Sequence, residues 1–151
     1  MVIFLDFDGV LHGEGVEADG LFRCTPHLWT ILRAVPEARV VFSTSWREKH
    51  PLDELVEFAT FGGGEDLAGR FIGVTPAVPV LHGAGDYRRR EIECLAWLEQ
   101  NGMTRERWLA LDDIAGWFTF PCPHLYLVHY ESGLTATDAA AIIESQRQAQ
   151  G

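Results

Sequence analysis

The chain has 151 residues, 47% hydrophobic and 23% charged, proportions that fit one globular domain spanning 1–151 and exclude disordered and collagen-like classes. A formal net charge of -10, from 22 acidic against 12 basic residues, argues against strong non-specific nucleic-acid binding and against an anionic membrane, yet allows an anionic substrate where a cation and a few arginines reverse the local potential. The three cysteines, Cys24, Cys94 and Cys122, fit no metal-ligand spacing and are odd in number, so at least one thiol is free and a reducing, cytoplasmic setting is expected.

From Val2, the run VIFLDFD is almost continuously apolar up to its acids, which predicts a central strand covered on both faces. Its VIFL segment is too short for a signal peptide or a membrane span. The glycine-containing, acidic stretch HGEGVEADG at residues 12–20 predicts an exposed loop or small flap. Thr25 followed by Pro26 predicts a helix start, with LWTIL as its apolar face and an end near Pro36. RVVFS at 39–43 is a second strand, and Pro51 opens a helix that stops at the glycines 62–64. FIGVT at 71–75 is a third strand, followed by a loop over PAVPVLHGAGD. A helix is predicted over 88–100, with Ile92, Leu95 and Ala96 at core spacing. WLALD at 108–112 and HLYLV at 124–128 are further strands, and a last helix starts near Thr137. Strands alternating with helices imply an α/β fold, a Rossmann-like three-layer α/β/α sandwich. Its central parallel sheet of about five strands would carry the ligand site beyond the carboxyl ends of the strands.

The acids fall at those ends. Asp6 and Asp8 close the first strand, and Asp112 and Asp113 close the fourth. Four carboxylates at one rim repel one another and raise at least one pKa unless a hard divalent cation lies between them, and Mg2+ suits so small a set of acids. Alternate residues of an extended segment face the same side, so Asp6 and Asp8 can both address one phosphorus. Asp6 is then a candidate nucleophile, and Asp8 a candidate acid and base. A bare D-x-D is weak, since turns favour Asp, but an apolar strand running into DFDGVL is far more specific.

VIFLDFDGVL resembles the first motif of the haloacid-dehalogenase-like (HAD) superfamily of phosphotransferases, and the other three motifs follow in order. The family's second motif is an apolar strand ending in a Ser or Thr that binds the transferring phosphoryl group. VVFSTSW offers Ser43, Thr44 and Ser45, of which Thr44 is the first choice, with Ser43 open. The third motif is normally a lysine. Arg88, Arg89 and Arg90 stand there instead, and Arg88 is preferred because it lies four, seven and eight residues before Ile92, Leu95 and Ala96. LALDDI matches the fourth motif. The resemblance implies that Asp6, Asp8, Asp112 and Asp113 serve as metal ligands for Mg2+. An aspartate at Asp8 marks the phosphatase branch rather than the dehalogenase branch.

The intervals between motifs leave no room for a large cap domain, so an open site accepting bulky phosphorylated substrates is expected. More narrowly, VVFSTSWREKHPLDEL with DFDGVLH resembles the HAD domain of multidomain, Swiss-army-knife RNA-repair proteins, which suggests a nucleic-acid terminal phosphate as well as small phosphoesters. His12, Trp46 and Arg47 are candidates for contact with a substrate phosphate or base, although Trp46 is more readily a core residue. The expected activity is an Mg2+-dependent phosphomonoesterase with an aspartyl-phosphate intermediate. The alternative is a phosphate- or nucleotide-binding module with little turnover, because arginine replaces the third-motif lysine.

Overall fold

A computed structural model describes residues 1–79 and 85–151 of the chain. Five strands form one sheet in the order β3 (Phe71–Val74), β2 (Arg39–Phe42), β1 (Val2–Leu5), β4 (Trp108–Asp112), β5 (Leu125–Leu127). All neighbouring pairs are parallel. The chain leaves β1 towards β2 on one side and later returns to β4 on the other, so the topological switch falls at the carboxyl end of β1, where ligands bind in open sheets of this kind.

Side chains alternate across the strands. Ile3, Leu5, Val40 and Phe42 point into one core with helices α1 (Thr25–Ala34), α2 (Leu52–Thr60) and α4 (Ala136–Gln150). Val2, Phe4 and Val41 point into the other, against Cys94, Trp97 and Leu98 of helix α3 (Arg89–Gln100). Burial of β1 on both faces is what its unbroken apolar run predicts. The result is the expected three-layer sandwich, with no cap domain between the strands among the described residues.

The helix boundaries follow local chemistry. Pro26 sits in the first turn of α1, where its missing N–H is not needed, and the Thr25 hydroxyl donates to the Phe22 carbonyl rather than capping the helix. Helix α4 begins with a capping box, Thr135 accepting from the Asp138 N–H while Asp138 accepts from the Thr135 N–H. Four short 3-10 turns, at Ala18–Gly20, Ser45–Glu48, Glu65–Arg70 and Ala115–Trp117, are additions to the sequence expectation. The loop expected over residues 76–86 lies partly outside the described residues. No helix among the described residues is long and apolar enough to cross a membrane.

One expectation fails. Ile92 and Leu95 are 42% and 41% exposed, so the predicted core stripe of α3 faces outward. The buried stripe is Arg90, Cys94, Trp97 and Leu98, the same i, i+4, i+7, i+8 pattern two residues out of phase.

Candidate active site

The switch point gathers the acids. Asp6 follows β1 directly, and Asp112 ends β4, so both are positioned by the backbone of adjacent central strands. Asp6, Asp112 and the next residue, Asp113, bring carboxylate oxygens within 4.8 Å of one another. Asp112 is wholly buried and Asp6 nearly so. Among the described residues one cation meets them: Arg90 Nη1 lies 3.0 Å from Asp6 Oδ2 and 2.8 Å from Asp112 Oδ2. The guanidinium also stacks on Trp117, 4.4 Å from the ring centroid. The free oxygen of Asp112 accepts from the Ile114 N–H at 3.0 Å, and Asp6 Oδ1 accepts from the Phe7 N–H at 2.8 Å.

One guanidinium does not balance three carboxylates. Burial pushes Asp6 well above the ordinary carboxylate range, with Arg90 pulling it down and Asp112 and Asp113 adding to the rise. Burial, then the charge of Asp112, lifts Asp113 to about 6. Such a set is relieved by a hard dication. Gly9, at φ +74, packs against this acid so closely that an added Cβ would lie 2.3 Å from Asp113 Oδ2, so the sharp exit from β1 leaves room for the Asp113 carboxylate. Asp6, Asp112 and Asp113 therefore fit a magnesium site.

Asp8 does not join that set. Its carboxylate accepts from His12 Nε2 at 2.8 Å and from Trp46 Nε1 at 3.0 Å, and the His12 bond holds it below its ordinary range, against burial and with help from Trp46. Asp8 was also expected among the metal ligands; its carboxylate lies outside the group formed by Asp6, Asp112 and Asp113 and faces His12 and Trp46 instead. Asp8 still borders the cleft with Asp6, Glu14, Ser45, Arg90, Asp113, Ile114 and Trp117, around a space of about 170 Å³.

Other assignments also move. The arginine that reaches the acids is Arg90, whereas Arg88 sits before the first turn of α3 with φ 59 and gives its Nε–H to Glu91 Oε2 at 2.8 Å. Thr44, the first choice for the phosphoryl hydroxyl, uses its oxygen to cap the Ser45–Glu48 turn by accepting from the Trp46 N–H. Ser43 lies one step beyond the Leu5–Phe42 pair of the ladder, level with Asp6, and its buried hydroxyl has no hydrogen-bond partner among the described residues. His12 is 1% exposed, with Nε2 turned to Asp8, and the Arg47 side chain is also largely buried. Arg47 instead donates to the carbonyls of Ser43, Thr44 and Thr75 and pairs with Glu93, tying the ends of β2 and β3 to α3. Trp46 is half-buried in an aromatic cluster. Trp117 and Glu14 had not been foreseen, and nothing in their local sequence distinguishes them, whereas Ser45 was one of the three hydroxyls expected at the end of the second strand.

A parallel sheet whose switch point holds an acid triad and an arginine bridge is an α/β architecture with a candidate cation site at the carboxyl end of its central strand. The model of the HAD domain in Swiss Army Knife RNA repair proteins matches residues 2–139. The chain belongs to this family. No curated protein and no solved structure matches it significantly.

Proposed function

We propose that the protein is a magnesium-dependent phosphomonoesterase that works through an aspartyl phosphate on Asp6. The observation that carries this reading is the Arg90 bridge between the buried carboxylates of Asp6 and Asp112. It holds one Asp6 oxygen at a fixed place at the mouth of β1 and favours the ionised form, opposing the larger effect of burial.

In the first half, an Asp6 oxygen attacks phosphorus, the bond from phosphorus to the leaving oxygen breaks, and Asp8 gives that oxygen a proton. In the second half, the Asp8 carboxylate takes a proton from water as the water oxygen attacks the same phosphorus. The bond to Asp6 then breaks and inorganic phosphate leaves. The resting Asp8 is a carboxylate, and the approach of a phosphate dianion opposes that charge, favouring the protonated form for the first half. Magnesium held by Asp6, Asp112 and Asp113 supplies charge neutralisation for phosphate in an acidic cleft. Ser43 has a hydroxyl free to donate to a phosphoryl oxygen, which makes it the better second-motif residue than Thr44.

The capless cleft and the family's association with RNA repair favour a nucleic-acid terminal phosphate or a nucleotide as substrate. The test is phosphate release from an aryl phosphate, a nucleotide and 3′- and 5′-phosphorylated oligonucleotides, with magnesium and then with chelator. Metal-dependent turnover that Asp6→Asn abolishes is the expected result. Full activity of Asp6→Asn would refute the covalent route, and turnover of sugar phosphates with none of either oligonucleotide would remove the RNA-end assignment.

A further inference from the structure

We infer that His12 and Trp46 are positioning residues for Asp8, two fixed N–H donors that hold its carboxyl group in one orientation over the cleft. The inference rests on the phosphatase reading above. Asp8 needs such a device because its side chain is 53% exposed, so packing alone does not select its rotamer. Neither ring lines the cleft itself, so each acts on the chemistry only through the Asp8 carboxylate.

Each donor is itself immobilised. His12 Nδ1 accepts from the Phe22 N–H at 3.3 Å, which assigns the ring proton to Nε2, the nitrogen facing Asp8. Phe22 makes that bond from φ 57, a left-handed conformation that a bulky residue holds only where its surroundings enforce it. Trp46 is gripped by Phe7, Phe22 and Phe58, at centroid distances of 5.5, 5.4 and 5.6 Å. Phe22 thus touches both arms of the clamp, its backbone fixing His12 and its ring packing on Trp46.

The lone pairs decide what the clamp leaves free. A carboxylate offers about four acceptor sites. His12 takes one on Oδ1 and Trp46 one on Oδ2, so each oxygen keeps a site for the leaving group or for water. A protonated carboxyl still accepts at both oxygens, so the clamp persists through the proton transfer. Its loss should matter most where departure of the leaving group depends on that proton.

The experiment measures kcat/KM, which reports steps through leaving-group departure, across phosphate monoesters from nitrophenyl to alkyl. Trp46→Phe keeps an aromatic ring in the cluster and removes the N–H. His12→Ala and His12→Gln test the other oxygen, glutamine restoring a donor. The expected result is a loss of about 10- to 100-fold on the alkyl ester against about threefold or less on the nitrophenyl ester, with partial recovery in His12→Gln. Equal losses across the series in Trp46→Phe and His12→Ala, with active wild type, overturn the clamp alone. Absence of wild-type turnover on every ester overturns the phosphatase reading and the clamp together.

Discussion

Replacing Arg90 by methionine removes the cation that bridges Asp6 and Asp112 while keeping much of the side-chain volume. Each of the two contacts, at 3.0 and 2.8 Å, is worth about 5–6 kcal/mol of attraction at an effective dielectric near 20, and desolvation of the three groups offsets much of it. The net cost of stranding the two buried carboxylates is about 3–5 kcal/mol, a fall in melting temperature of about 6–20 °C for a chain of this size. The cost depends on pH. Without the guanidinium, the folded-state pKa of Asp6, already raised by burial, rises further. The folded state then binds protons more tightly than the unfolded chain, so stability falls as pH rises through and above the ordinary carboxylate range. Urea denaturation of wild type and Arg90→Met at pH 8 and pH 5 should show the larger deficit at pH 8, and magnesium should narrow it. In a cycle with Asp112→Asn, the two substitutions together should cost about 1–3 kcal/mol less than their sum. Equal stability of Arg90→Met and wild type at pH 8, or a deficit that grows towards pH 5, would refute the bridge as the charge balance of the site.

Ser43→Ala should leave stability unchanged within about 0.5 kcal/mol, because its hydroxyl has no partner to lose, while lowering kcat/KM at least about tenfold. Thr44→Val should do the reverse, costing about 1 kcal/mol through the lost cap with less effect on turnover; the pair is compared by thermal melts and steady-state kinetics. Gly9→Ala places a methyl group 2.3 Å from Asp113 Oδ2 at a positive φ, so magnesium affinity by calorimetry should fall about tenfold or more, beyond the roughly 1 kcal/mol expected of backbone strain. Asp138 is held below its ordinary pKa, hydrogen bonds from Tyr126 and Thr135 outweighing its burial. Its contribution is therefore present above the unfolded carboxylate pKa and lost as pH falls through the folded value. Asp138→Ala should cost about 1–2 kcal/mol at pH 7, and the gap to wild type should close below about pH 4.

The strands and the ends of the helices were legible because their causes are local. A run such as VIFL has to be buried on both faces, Pro26 has to stand in a first turn, and a rim of acids follows once the strands are parallel. The same parity also separates Asp6 and Asp8 from Phe7, and Ser43 from Thr44, but that inference needs the end of the extended segment. Here the ladder stops at Phe42 and the chain turns at Ser45. Thr44 therefore became a cap, and Ser43 kept its free hydroxyl.

Helix α3 explains the remaining error. Arg88 with Ile92, Leu95 and Ala96, and Arg90 with Cys94, Trp97 and Leu98, have identical spacing, and hydropathy favours the first set. Two things outside the helix decide for the second. The aromatic edges of Phe4 and Trp108 need a large partner on this face of the sheet, and Trp97, 6.0 Å from Phe4 by ring centroids, fills it where leucine would leave space. Two buried carboxylates at the rim also demand a cation on the same stripe, and the turn that brings Trp97 inward brings Arg90 to Asp6. Packing and charge thus select one phase of α3 together, and neither Asp6 and Asp112 nor Phe4 and Trp108 lie within residues 88–100, so the periodicity of that segment does not contain the choice. The same phase turns Glu91 towards Thr119 and Glu93 towards Arg47, so the acidic residues of α3 also become partners that bind the loops around the cleft.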